Sequence, residues 1–393
     1  MIYSVFSPDH LDDVLSLLDR SDNTNRTKET WSQNQLTAVL AYDNDRLVGA
    51  VPLEPRKICI GNDERLKVLW ITGAHVDPSY RSQGVGSRLV SVIQEKFYPE
   101  YHGVFVYRAD ENSRAYKWYS NIGFHALTPI LSLYSNVSDI SGTTDFQVFS
   151  KLDEIIAQES NVLACYSRLY SQYGGTFGRN AGSWEKRITY HYYKESYNYH
   201  LIVIPRKNLC ESYALIGETS MVDGVHRYDV LEYCVANDDK NRDKLFTAVQ
   251  VFAKQNSFND IRLQLSSNDE SLPWMREHQW KYRWRTNILG RLFYPQDYLH
   301  SRLNSFTELL KSSIKLSIET PSFPSRTWGD GGNRIKIFMN DSDFHQLLLN
   351  RCDLISLHRE GRAIILDGQR NSVQLLSDIF PLYQWKYHQL DYI

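Results

Sequence analysis

The sequence predicts an α/β protein built on a mixed α+β sheet, in three units spanning 1–140, 141–297 and 298–393. Three observations carry that expectation. A strand, a glycine turn and a helix follow one another between Leu69 and Ile93. A similar alternation of strands and helices returns between 199 and 265, without the glycines. The last hundred residues mix short apolar runs with a Pro- and Gly-rich stretch, the pattern of a small α+β unit.

Taken in order, Met1–Phe6 reads as a first strand, because it lacks the basic region and long apolar run of a signal peptide. Ser7-Pro8-Asp9 caps an amphipathic helix with Leu11, Val14, Leu15, Leu17 and Leu18 as its stripe, and the polar Arg20–Arg26 follows as a surface loop. Thr37–Tyr42 and Leu47–Val51, joined through Asn44-Asp45, form a hairpin signal, and Glu54–Leu66 lengthens what comes next. Leu69–Val76 is a strand, Pro78 opens a turn, and a helix starts at Gly84 and Gly86 with Leu89, Val90, Val92 and Ile93 on one face. A glycine turn feeding a helix N-terminus leaves outward N–H groups at the positive end of the helix dipole. That is an anion cradle, and Arg81 adds a charge beside it. After the strand Gly103–Tyr107, Asn112 reads as the cap of a helix carrying Ala115, Trp118 and Tyr119, stopped by Gly123 before a strand opened by Phe124.

The middle unit looks helical in parts between Phe146 and Ser171, is punctuated at Tyr173–Arg179, and starts a helix at Ser183. Strands at Tyr199–Ile204, Tyr213–Gly217 and Tyr228–Val235, a helix at Leu245–Lys254 and a strand at Ile261–Leu265 repeat the first layout. Where the cradle would stand there is Asn237–Asp243, whose aspartates repel a diphosphate. The third unit reads as an amphipathic helix over Ser305–Leu316, strands at Ile335–Phe338, Leu354–Leu357 and Ala363–Leu366, and a terminal helix over Ser372–Phe380.

With 44 Lys+Arg against 46 Asp+Glu, the net charge of -2 points to neither a nucleic-acid surface nor an anionic membrane, and no apolar run is long enough to span a bilayer. Five scattered cysteines without a C-x-x-C pair read as reduced thiols in a cytoplasmic protein with no structural zinc. His191, His200 and His226 are too far apart in sequence to propose a metal site. Trp274, Trp280 and Trp284 read as one-sided packing at a domain junction, Gly329–Gly332 as a turn, and the abundant Tyr and Trp of the later units leave a homo-oligomer open.

Arg81-x-x-Gly84-x-Gly86 and Asn112-x-x-Ala115-x-x-x-Tyr119-x-x-x-Gly123-Phe124 resemble, in order and spacing, the two motifs of the GNAT acetyltransferase superfamily over about residues 1–135. Domain order, Gly175-x-x-x-Arg179-x-x-x-x-Trp184 and Asn287–Leu292 extend the likeness to the enhanced-intracellular-survival acetyltransferases. Those enzymes join a GNAT fold, a second motif-less GNAT-like domain and a small sterol-carrier-protein-like domain.

The resemblance implies acetyl-CoA as cosubstrate, no metal, and an amine-bearing small molecule as acceptor, an aminoglycoside among the candidates. It places the pyrophosphate on Arg81, Ser82, Gln83, Gly84, Val85, Gly86 and Ser87, the pantetheine arm on the main chain of Ala74, His75 and Val76, and Asn112 close by. Tyr119 stands where the family keeps its general acid, and a phenol near pKa ~10 is nearly matched to a departing thiolate near ~8.5. The α-carboxylate of Ile393 stands where the related enzymes bring a chain terminus into the site. The plainer alternatives are a core aromatic for Tyr119, a frayed end for Ile393 and a packed side chain for His75, which otherwise acts as a base through water. At the level of the whole chain, the alternative is an acyl-CoA-binding regulatory or scaffold protein without turnover.

Overall fold

The computed structural model describes residues 1–19, 27–62, 64–108, 113–137, 144–190, 197–207, 209–219, 227–258, 260–304, 312–366, 374, 376 and 379–392. The expected loop at Arg20–Arg26, together with Asn112, His191, His226 and Ile393, lies outside them.

The first half runs β1 (Ile2–Val5), α1 (Leu11–Asp19), α2 (Lys28–Gln33), β2 (Thr37–Asp43), β3 (Arg46–Gly61), β4 (Glu64–Ile71), the two-residue β5 (His75–Val76), α3 (Val85–Phe97), β6 (Gly103–Arg108), α4 (Arg114–Asn121) and β7 (His125–Asn136). The β2–β3 turn is Asn44-Asp45, with Asn44 at φ 52°. The lengthened connection becomes a second hairpin, because β3 continues to Gly61 and pairs with β4 from Leu53↔Ile71 to Gly61↔Glu64. The expected single strand from Leu69 to Val76 is broken at 72–74. β4 pairs in parallel with β6 only through Val68–Trp70, and His75–Val76 turns back onto Gly49–Ala50 of β3. Beyond Trp70 and Phe105 the two parallel strands therefore part.

The second half repeats the order: β8 (Gln147–Phe149), α5 (Leu152–Ala157), α6 (Glu159–Tyr170), β9 (Gly174–Phe177), α7 (Ser183–Thr189), β10 (Tyr197–Arg206), β11 (Leu209–Thr219), β12 (Arg227–Cys234), α8 (Asp239–Gln255), β13 (Asp260–Ser266), α9 (Leu272–Glu277) and β14 (Lys281–Leu292). The two halves share one sheet in the order β1-β2-β3-β4-β6-β14-β7-β13-β12-β11-β10-β8. Each half's last strand pairs with the other half's sheet: β14 runs antiparallel to β6, β7 antiparallel to β13, and the two pair with each other. The border expected near 140 falls outside the described residues, between the exchanged β7 and β8.

The third unit holds α10 (Pro295–Asn304), β15 (Ile314–Glu319), β16 (Arg326–Trp328), β17 (Asn333–Met339), α11 (Asp341–Leu348), α12 (Leu354–Arg359) and β18 (Ala363–Leu366), with sheet order β16-β15-β17-β18. Two expectations are corrected here. Ile314, Leu316 and Ile318 alternate with exposed or half-buried residues, so the end of the expected helix is a strand; 305–311 lies outside the described residues. Leu354–Leu357 is helical, because the Asp353 side chain accepts the N–H of Ser356 at 2.8 Å and starts a turn. Of the terminal helix, 374, 376 and 379 are helical and the rest lies outside the described residues.

The sheet is buried on both faces. On one, Leu53, Leu69, Ile71, Val104 and Val106 pack against Leu89, Val90 and Ile93 of α3. On the other, Ile58, Val68, Trp70 and Phe105 share a core with Leu316, Phe344, Leu376 and Trp385 of the third unit.

Candidate active site

The cradle is built by α3 and the turn before it. Asp77 accepts from Ser79 N–H at 3.0 Å and takes an ion pair from Arg46 at 2.7 Å, while Tyr80 O–H donates to Asp43 at 2.7 Å, so the β2–β3 turn braces the loop. Gly84 is the N-cap at φ 80°, a left-handed conformation with open space where a Cβ would stand, and no side chain caps the helix. The N–H groups at the first turn of α3 therefore face outward with the positive end of the dipole behind them. A Cβ on Gly86 would lie 3.0 Å from the Trp118 ring, so glycine lets α3 and α4 approach closely.

A cavity of about 530 Å³ opens at this mouth, within the range that holds cofactors. Of the residues expected from sequence, Ala74, Val76, Arg81, Ser82, Gly84, Val85, Gly86 and Ser87 line it. His75 and Gln83 do not: His75 is half-buried in β5, and the Gln83 amide donates to Ser79 O at 2.8 Å. Arg81 Nε donates to Val76 O at 2.9 Å, which folds the guanidinium over the loop. Sequence reasoning missed Val51, Tyr80, Arg114 and Trp118 of the lining and gave Ala115 no such place. Arg114 is a second cation at the mouth, donating to Ser82 Oγ at 3.3 Å; its place in the first turn of α4 was the signal available.

α4 is capped by Ser113, whose Oγ accepts from Tyr116 N–H at 3.1 Å, which corrects the expected cap at Asn112. Trp118 lines the cavity. Tyr119, its neighbour, is fully buried, with its ring 4.5 Å from Trp118 and 4.9 Å from Phe124. Arg291, on the exchanged strand β14, donates to Ile122 O and to Gln94 Oε1, both at 2.9 Å, and so fixes the end of α4 against α3.

Residues 2–124, which hold this mouth and both motifs, match the acetyltransferase (GNAT) family. Those residues are under a third of the chain, and over them it is similar to that family. Over the whole length it shares a fold with three solved structures. The GCN5-related N-acetyltransferase from Anabaena variabilis is 11% identical with a TM-score of 0.69, covering 98% of this chain and 99% of that one. The one from Kribbella flavida is 14% identical with a TM-score of 0.65, covering 98% of each chain. Eis1 from Mycobacterium abscessus is 12% identical with a TM-score of 0.65, covering 99% of each chain. No curated protein matches the sequence.

The far side of the GNAT sheet is occupied by the C-terminal segment. Its backbone pairs with Gly174, which donates to Gln384 O at 2.8 Å and accepts from Lys386 N–H at 2.9 Å. Trp385 and Tyr387 are buried, and Tyr387 stacks 6.0 Å from Tyr107 at the end of β6, where the strands part. Arg179 bridges Asp391 and Glu232, and Glu232 also accepts from Tyr213 at 2.6 Å and Trp184 at 3.2 Å. The Gly175–Arg179–Trp184 pattern thus forms the socket for this segment. Arg56 donates to Asp391 O at 2.6 Å and pairs with Glu54 at 2.7 Å; Arg187 of the second half reaches Glu54 at 2.5 Å. Burial opposes the charge of Glu54, yet Arg187 and Arg56 outweigh it and hold the carboxyl at about 2. Glu54 is accordingly a charge anchor, poorly matched to take a proton from an amine near pKa ~10.

Trp274 and Trp280 are packing residues, but in the core of the second half rather than at a domain junction as expected, and Trp284's side chain lies outside the described ones. Among the described residues no group of His, Cys, Asp and Glu is arranged to hold a metal, and no helix is long and apolar enough to cross a membrane.

Proposed function

We propose that this GNAT-family acyltransferase is an acetyl-CoA-dependent N-acetyltransferase acting on an amine-bearing small molecule, with aminoglycosides among the candidate acceptors. The observation that carries the reading is the uncapped mouth of α3 beside a cavity of about 530 Å³. Acetyl-CoA, when bound, supplies an activated thioester. The N–H groups of Val85, Gly86 and Ser87 bind its pyrophosphate with Arg81 and Arg114 beside them, charge-assisted contacts that rank among the strong hydrogen bonds. The main chain of 74–76, which lies beyond the point where β4 and β6 part and pairs with β3 through His75–Val76, orients the pantetheine arm as an added strand would. Tyr119 is assigned the proton for the departing thiol; it is buried beside Trp118, which lines the cavity, and is not itself part of the lining. The carboxylate of Ile393 receives the proton of the amine, Arg179 and Arg56 fixing the segment that carries it.

Thiol release from acetyl-CoA across a panel of amines tests the whole reading. Amine-dependent release is expected. Tight coenzyme A binding with no release for any amine would favour the regulatory alternative. Tyr119→Phe is expected to lower kcat about a hundredfold with the coenzyme A Kd unchanged, the range for loss of a positioned acid; unaltered kcat would remove Tyr119 from that role. Adding residues after Ile393 is expected to depress kcat, and a fully active extended chain would dismiss the carboxylate.

A further inference from the structure

The five cysteines are far apart in sequence, yet the fold gathers three of them. Cys165 lies on α6, Cys210 at the start of β11 and Cys234 at the end of β12. The sulfurs of Cys165 and Cys234 are 4.0 Å apart, and Arg168 Nη2 stands 3.6 Å from the Cys165 sulfur while it also donates to Cys210 O at 2.9 Å. Cys59 on β3 and Cys352 between α11 and α12 are not part of this group.

We propose that Cys165 and Cys234 are a peroxide-reactive pair that closes a reversible disulfide, with Cys210 and Arg168 supporting the attacking sulfur. The neighbouring Cys210 and Cys234 thiols, with the charge of Arg168, draw the Cys165 thiol well below its ordinary range against the effect of burial. The thiolate attacks the outer oxygen of a hydroperoxide; an S–O bond forms, the O–O bond breaks, and the leaving oxygen departs as an alcohol or water after taking a proton. Cys234 then attacks the Cys165 sulfur, the S–S bond forms, and the oxygen leaves as water. Two thiols are oxidised, and one hydroperoxide is reduced to an alcohol and water.

Closing from 4.0 Å to a disulfide at about 2.05 Å asks for side-chain rotation in two residues already in contact. Cys165, Cys210 and Cys234 are all buried. Arg168 above them is exposed, and Leu209 beside Cys210 is 62% exposed, so a small oxidant needs only local opening. The cross-link has a consequence for the socket. Cys234 follows Glu232 by two residues on β12, and Tyr166, next to Cys165, has its ring 5.3 Å from the Arg179 guanidinium. Oxidation would therefore tie α6 to β12 directly behind the Arg179–Glu232–Asp391 bridge.

The test is thiol counting and peptide mapping on the full chain after hydrogen peroxide, with alkylation before unfolding. Two of the five thiols are expected to disappear and to return with a reductant, and the linked peptide should join Cys165 to Cys234. Cys59→Ser should still lose two thiols; Cys165→Ser should lose none of its four. Mapping of the unaltered chain decides the matter even where a variant folds poorly. Five intact thiols, oxidation confined to Cys59 or Cys352, or a bond from Cys165 to Cys210 would each overturn the proposal.

Discussion

Helices α3 and α8 occupy matching places in the two halves, each lying between the two strands of its half's parallel pair, β4 and β6 or β12 and β13, and their first turns have opposite fates. At α3 the cap is a glycine and the amides face a cavity. At α8 the cap is Asp238, whose carboxylate accepts the N–H of Asn241 at 2.9 Å, while Arg242 pairs with Asp239 at 3.0 Å and with Asn237. The second helix has supplied its own anion. On the proposed reading, whether this fold holds a diphosphate is set by a few residues at one helix end, since strand order and helix placement are shared.

The strongest way to break that contrast is to give α3 the cap of α8. Gly84→Asp fits the open space, at a left-handed strain of about 1–2 kcal/mol. Its carboxylate should weaken coenzyme A binding about a hundredfold, the loss of one or two charge-assisted bonds. Calorimetry reads this; an unchanged Kd with native circular dichroism would mean that the amides do not hold the cofactor.

The reverse change has a smaller expected effect. Asp238→Ala should cost about 1 kcal/mol of stability in denaturant unfolding, the usual loss of a cap, and leave coenzyme A binding untouched. A second binding heat in that variant would show that an uncapped helix end suffices here without Arg81 and the glycines.

The smallest effect concerns acid. Burial of Asp238 is the largest single influence and opposes its charge, but the bonds from Asn241 and the charges of Arg242 and Lys244 together outweigh it and hold its pKa below the ordinary aspartate value. A carboxyl depressed by folding contributes stability above its unfolded pKa of about 4 and loses it as pH falls through the folded value. Hydrogen-exchange protection at the start of α8 should therefore drop below about pH 4, and α3, with no such group, should show no matching step. Asp238→Asn should flatten the response; equal loss in both helices would assign it to global unfolding.

Much of the GNAT half was legible because its signals are local: a glycine turn, a capped helix and a two-residue hairpin each announce themselves within a dozen residues. The middle unit's strands were legible for the same reason. The exchange of β7 and β14 was not, because pairing partners some 150 residues apart leave no mark in either strand's periodicity. Leu354–Leu357 was misread since four apolar residues fit strand and helix alike, although Asp353 and Ser356 already held the capping signal. Arg291 and Arg179 stood in noted patterns, but what they touch was set by tertiary structure. The clustering of Cys165, Cys210 and Cys234 depends on which faces of α6, β11 and β12 meet.

The crossed terminal strands have a practical outcome for anyone dividing this polypeptide. A fragment ending near residue 140 would keep the mouth of α3 but lose β14, baring the backbone of β6 along six residues and removing Arg291, which clamps α3 to α4. An unpaired rim of that length invites self-association, so catalysis by an isolated amino-terminal piece should suffer through stickiness and misplaced helices even though every residue of both motifs is present.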